Sequence, residues 1–121
     1  MPEKRVDVLI VAKLGRVQAG LLSLLTAKSK VGGLCLASDL DSMLDLLTRC
    51  RPGLVLCGPG WSVNELASFL QRAKDICPEA RCLAFVDDAD LAHDSGLANA
   101  DAIAWTGFPA QQLSVLIDRL I

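Results

Sequence analysis

The chain has 121 residues, 52% of them apolar, and a formal net charge of −2. That length fits one domain, and the apolar share is enough to fill a core at this size. The charge balance excludes the basic footprint expected of a nucleic-acid binder. Lys4, Arg5, Lys13, Arg16, Lys28 and Lys30 do cluster early, but without an overall positive charge they read as a solvated face rather than a phosphate track. No apolar run approaches the ~20 residues that a membrane span needs, and Pro2-Glu3-Lys4-Arg5 leads straight into a strand with no signal-peptide pattern. The expectation is a cytoplasmic protein with no membrane contact and no direct nucleic-acid contact.

Val6–Val11 (VDVLIV) is a continuous apolar run of strand length and β-branched character, the pattern of a central parallel strand covered on both faces. Residues 14–28 follow with Val17, Leu21, Leu24 and Leu25 at helical spacing, and Gly32-Gly33 closes that unit before a short second strand over 34–37. Asp39 or Ser38 can cap the next helix, whose apolar face is Leu40, Met43, Leu44 and Leu47. A turn at Pro52-Gly53 leads to a third strand, Leu54–Cys57, and Ser62-Val63-Asn64-Glu65 then has the form of a capping box. The helix it opens carries Leu66, Phe69, Leu70 and Ala73 and ends near Cys77-Pro78. Arg81–Val86 reads as a fourth strand, Asp87-Asp88 as the cap of a short helix closed by Gly96, and residues 101–105 as a fifth strand. Pro109 suits the first position of a last helix with Leu113, Leu116, Ile117 and Leu120 apolar. Five strand–helix alternations with short connections predict a single α/β domain, a parallel sheet with helices on both faces. With the last helix closing at Ile121, no effector domain is expected within the chain.

Cys35, Cys50, Cys57, Cys77 and Cys82 show no CxxC and no metal spacing, and His93 alone cannot complete a zinc set. They read as small buried apolar residues, and neither metal nor cofactor is expected.

The segment RPGLVLCGPG, from Arg51 to Gly60, resembles the third strand of response-regulator receiver domains, written RPDLVLMDLxMP. The resemblance extends over nearly the whole chain. VQAGLLSLL stands in place of VREGLRALL, CPEARCLAFV in place of HPDARVLVLT, and ANADAIAWTGFPAQQL in place of AGADGYLLKDAPPEEL. The chain is thus similar to CheY-like receivers, nearest to those that precede LuxR-type helix-turn-helix domains. The resemblance implies a five-stranded sheet of order 2-1-3-4-5 in the flavodoxin-like manner.

It also implies positions for phosphotransfer, and none keeps its residue. The acidic pair that holds Mg²⁺ is Ala12 and Lys13, and the phosphoacceptor aspartate is Gly58. The reporting Ser/Thr is Val86, the lysine that ends the fifth strand is Thr106, and the switch aromatic is Ile103. Mg²⁺ needs oxygen ligands, which Ala12 lacks, and Lys13 places a cation where the metal would sit. An aspartyl phosphate needs a carboxylate nucleophile; Gly58 has none. The expectation is a pseudo-receiver that is not an enzyme and signals by binding a protein partner or a second copy.

Trp61, Trp105 and Phe108 lie at strand tips or on the last strand and its loop, and with Gln111 they outline a candidate protein-binding surface around strand five and the last helix. Leu22 and Leu46 add apolar character at helix positions that are polar in the family. Two further readings stay open. One is a fragment of a longer DNA-binding regulator. The other is a small-molecule or redox sensor using a pocket between strands one and three, near Lys13, Gly58 and Asp87. A salt bridge from Asp87 to Lys13 would instead close that pocket; in the redox reading Cys57 is the candidate thiol, although strand alternation turns Cys57 away from the face of Gly58. Gly58-Pro59-Gly60 lacks the Walker spacing of a phosphate loop and reads as a turn.

Overall fold

The computed structural model describes residues 6–12, 16–58, 60–86, 97–105 and 109–121. Five strands make one parallel sheet: β1 (Val6–Val11), β2 (Val31–Ala37), β3 (Leu54–Cys57), β4 (Arg81–Val86) and β5 (Ala102–Trp105), in the order β2-β1-β3-β4-β5. The helices are α1 (Arg16–Thr26), α2 (Leu40–Cys50), α3 (Val63–Ile76) and α4 (Ala110–Leu120). The helix expected over 87–96 lies outside the described residues.

Alternation along each strand sorts the core into two layers. Leu9, Val11, Val55, Cys57, Cys82, Ala84 and Val86 face α2 and α3, meeting Met43, Leu47, Leu66, Phe69 and Leu70. Val8, Ile10, Leu54, Leu56, Leu83, Phe85 and Ala104 face α1 and α4, meeting Leu21, Leu25 and Ile117. The central strands are apolar at consecutive positions because both of their faces are covered.

The caps follow the sequence. Asp39 is the N-cap of α2, its Oδ1 accepting the Ser42 amide at 2.7 Å. Ser62 and Glu65 form the reciprocal capping box of α3, both bonds at 3.2 Å, a motif whose cap contributes about 1 kcal/mol. α2 ends on Arg51 in the left-handed region, φ 44°, with its amide on the Leu47 carbonyl.

Four boundaries differ from the sequence reading, the first being the end of α1, at Thr26 rather than at 28. β2 begins at Val31 rather than at 34, because Gly32 and Gly33 are taken into the strand at a bulge where register shifts against β1, and the Gly33 amide donates to Asp7 Oδ1 at 2.9 Å. Pro109 is the N-cap of α4 rather than its first helical residue. Asp101 stands just before β5.

Two polar ties hold sequence-distant elements. Lys28, read above as part of a solvated face, is only 12% exposed in its side chain; Nζ donates to Ser114 Oγ and Asp118 Oδ1, each at 2.8 Å, and so fastens the end of α1 to α4. Asp101 accepts from Lys74 Nζ at 2.9 Å and from the Cys82 amide at 2.7 Å, while Lys74 also donates to the Ala80 carbonyl. This sets the entry into the edge strand β5. Burial pulls the Asp101 carboxyl upward. The bonds from Lys74 and the Cys82 amide, with the charges of Lys74 and Arg81, outweigh it and hold the carboxyl below its usual value.

A carboxylate held low in the fold stabilises above its unfolded pKa of ~3.9 and loses that contribution as pH falls through the folded value. Asp101→Asn should therefore cost about 1–2 kcal/mol at pH 7, solvent screening included. The gap to wild type should narrow below roughly pH 4; urea unfolding of both proteins at pH 7 and pH 3 checks this.

Candidate functional site

The centre of the sheet's C-terminal edge is where the tips of β1 and β3 meet. The Ala12 amide continues the ladder to the Ala37 carbonyl at 3.1 Å, and the Gly58 amide donates to the Val11 carbonyl at 2.7 Å. Ala12 is 1% exposed and Val86, at the tip of β4, 2% exposed; Gly58 is buried between them in chain order. These three positions bring no side-chain oxygen to the edge, so as a set they do not fit Mg²⁺, a hard cation that takes oxygen ligands.

The approach of the two tips is closer than a side chain at position 58 tolerates. A Cβ built on Gly58 would lie 2.9 Å from Ala12 Cβ, 3.3 Å from Ala12 Cα and 3.4 Å from the Val11 carbonyl oxygen. Ala12 Cβ is fixed to the backbone and has no rotamer with which to yield, so β1 and β3 themselves would have to move apart. Gly60, beyond Gly58, has a φ of 109° that suits glycine; Pro59, in the turn read from the sequence, lies outside the described residues.

Cys57 is fully buried in the α2/α3 layer, and burial first, with the neighbouring Cys82 second, pushes its thiol well above the usual value. It is a core thiol and not a nucleophile in waiting. Cys82 is likewise pushed up to about 11, mainly by burial. Lys13, Asp87 and Thr106 lie outside the described residues, and with them the expected Lys13–Asp87 pair.

The candidate partner-binding residues fall in different layers. Trp61 is 9% exposed and belongs to the core between the sheet and α2/α3; it also lines a cleft with Leu40, Leu44 and Phe69. Ile103 and Trp105, half-buried on β5, pack against that same layer. Gln111 is exposed on α4, which covers the opposite face of the sheet. Near it stands Val115, 49% exposed, in a shallow depression shared with Leu116 and Arg119. Phe108 lies outside the described residues. Leu22 and Leu46 are half-buried, each against its own layer.

The parallel order β2-β1-β3-β4-β5, with α1 and α4 on one face and α2 and α3 on the other, decides the architecture. The chain has the CheY-like receiver fold. The signal receiver domain of an HD domain-containing protein from Pseudomonas fluorescens superposes with a TM-score of 0.83 at 19% identity, covering 99% of this chain and 89% of that one. A CheY-like protein (tadZ) from Pseudomonas aeruginosa gives 0.75 at 19% identity, covering 97% and 100%. A response regulator from Thermotoga maritima gives 0.78 at 18% identity, covering 97% and 98%. No protein-family model and no curated protein sequence matches the chain. At these identities the likeness is one of receiver fold. Among the described residues, no helix of this receiver fold is long and apolar enough to cross a membrane.

The sequence reading missed four arrangements: the contact distance between the Ala12 and Gly58 positions, the Lys28–Ser114–Asp118 tie, the Lys74–Asp101–Cys82 tie, and a pair of thiols, Cys35 and Cys50. Each joins residues on different elements, and no local pattern in the sequence signals it.

Proposed function

We propose that this domain is a pseudo-receiver that takes part in signal transduction by binding protein, without phosphotransfer and without enzymatic activity of its own. One observation carries the reading: the space in which a phosphoacceptor side chain would begin is filled by Ala12, 2.9 Å from the first carbon it would need. The apolar Val86 at the neighbouring tip supports it, because a residue without a hydroxyl has no bond to offer a phosphoryl oxygen. The same close approach counts against a small-molecule pocket between β1 and β3, and the buried Cys57 counts against a thiol enzyme there.

The partner, a second copy or another protein in a signalling or transcriptional pathway, binds on the β5–α4 side. Val115 offers the exposed apolar contact there, with Gln111 and Arg119 beside it. A partner shifts such a domain only by binding two of its states unequally.

The deciding experiment is incubation with acetyl phosphate, and separately with beryllofluoride, in the presence of Mg²⁺. The expected result is no phosphoryl adduct by intact mass and no specific amide shifts at Ala12, Gly58 or Val86 by NMR. An adduct, or saturable shifts confined to the strand tips, would sink the reading. The setting of a DNA-binding regulator is settled separately, by whether the reading frame continues past Ile121 into such a domain.

A further inference from the structure

Cys35 and Cys50 bring their sulfurs to 3.5 Å. Cys35 stands on the edge strand β2 and Cys50 is the last residue of α2. Both are half-buried, so reagents reach them, whereas Cys57 and Cys82 are closed in the core and Cys77 directs its thiol at the Pro52 carbonyl. We propose that Cys35 and Cys50 are a dithiol modification site that closes reversibly to a disulfide, a property independent of the reading given for the strand tips.

A disulfide requires the sulfurs to close by about 1.5 Å to the bonded distance of ~2.05 Å. Both residues sit where the backbone can yield that much. β2 is an edge strand with a bulge next to Val31, and α2 ends at Cys50 on the left-handed Arg51. The oxidant is a low-molecular-weight disulfide, RSSR. One thiolate of the pair attacks an RSSR sulfur and expels RS⁻, leaving a mixed disulfide on the protein. The second thiol gives up its proton and attacks the protein-bound sulfur, forming the Cys35–Cys50 bond and expelling the second RS⁻. Two thiols have lost two electrons and two protons, and RSSR has become two RSH. The hydrogen bond with Cys50 first, and burial second, push the Cys35 thiol up, with the charges of Cys50 and Asp7 acting the same way. The exchange accordingly speeds up as pH rises.

The bond would pin the C-terminal end of α2 to the sheet edge.

The test is equilibration of the wild-type protein in reduced and oxidised glutathione at several ratios, followed by acid quench, alkylation, intact mass and peptide mapping. The expected species is the Cys35–Cys50 cross-linked peptide, at least tenfold more abundant than glutathione adducts on either residue and reversed by dithiothreitol. It should persist in Cys77→Ser and vanish in Cys35→Ser and in Cys50→Ser. Glutathione adducts that outweigh the cross-link in wild type, linkage of any other pair, or disulfide-linked dimers would each overturn the proposal. Because the mapping is done on wild type, a variant that fails to fold does not obscure the result.

Discussion

Gly58→Ala should lower stability by about 1–3 kcal/mol, the usual cost of forcing extra carbon into a packed interior. The cause is the 2.9 Å meeting of the new Cβ with Ala12 Cβ. Gly58→Asp should cost more, since it adds a carboxyl whose burial beside Ala12 and Val86 finds no described partner for its charge. A second change identifies the cause. Ala12→Gly removes the opposing methyl, so in the Gly58→Ala background it should return part of the loss, with a coupling of about 1 kcal/mol. Recovery stays partial because Ala12 Cα and the Val11 carbonyl remain at 3.3 and 3.4 Å. Urea unfolding of the four proteins measures the cycle, and strictly additive effects would mean that the tips are not in contact. A further consequence concerns chemistry: an aspartate placed at position 58 alone is not expected to become a phosphoacceptor, because its backbone must first separate from β1.

Trp61→Ala should cost about 3–5 kcal/mol, the range for emptying a buried aromatic site. Trp61 is 9% exposed and packs with the α2/α3 layer. Trp105→Ala, at a half-buried position on the edge strand, should cost only about 1–2 kcal/mol. Val115→Lys, on the exposed face of α4, should stay within about 0.5 kcal/mol. Thermal unfolding followed by the remaining tryptophan fluorescence, or by circular dichroism, separates the three. The ranking matters for mapping partners. Loss of binding on Trp61→Ala would report unfolding, so Val115→Lys is the informative probe of the α4 surface.

Much of the fold is legible in the sequence. The runs VDVLIV, LVLC and RCLAFV are apolar at successive positions because parallel strands with helices on both faces have no wet side. Asp39 and the Ser62–Glu65 box announce their helix starts. The Gly32-Gly33 pair misleads, since glycines that usually mark a turn here sit inside β2 at a bulge. The candidate site is less legible. The glycine at position 58 is plain from the sequence, yet how closely Ala12 approaches it depends on how two strands lie side by side. Trp61 misleads in another way: an aromatic just past a strand tip looks the same in sequence whether it faces solvent or turns back under α2 and α3. Lys28 looks like any surface lysine until Ser114 and Asp118 are seen to be waiting for it, 86 and 90 residues away.

That last tie bears on the order in which the molecule can be assembled. During synthesis β1 emerges first, and its two neighbours β2 and β3 are complete by Cys57. β1 and β2 therefore have all their pairing partners before β4 exists, while β3 still waits for β4. The layer between the sheet and α1 does not. Its cover is finished by Ile117 and fastened by Asp118, which leave the ribosome only after every strand of the sheet. Until then α1 lies over a half-open face, and Lys28 has only water to bond. The nascent chain thus has one helical layer, between the sheet and α1, that must wait for α4, and the exposed apolar side of that waiting layer is where chaperones would find it.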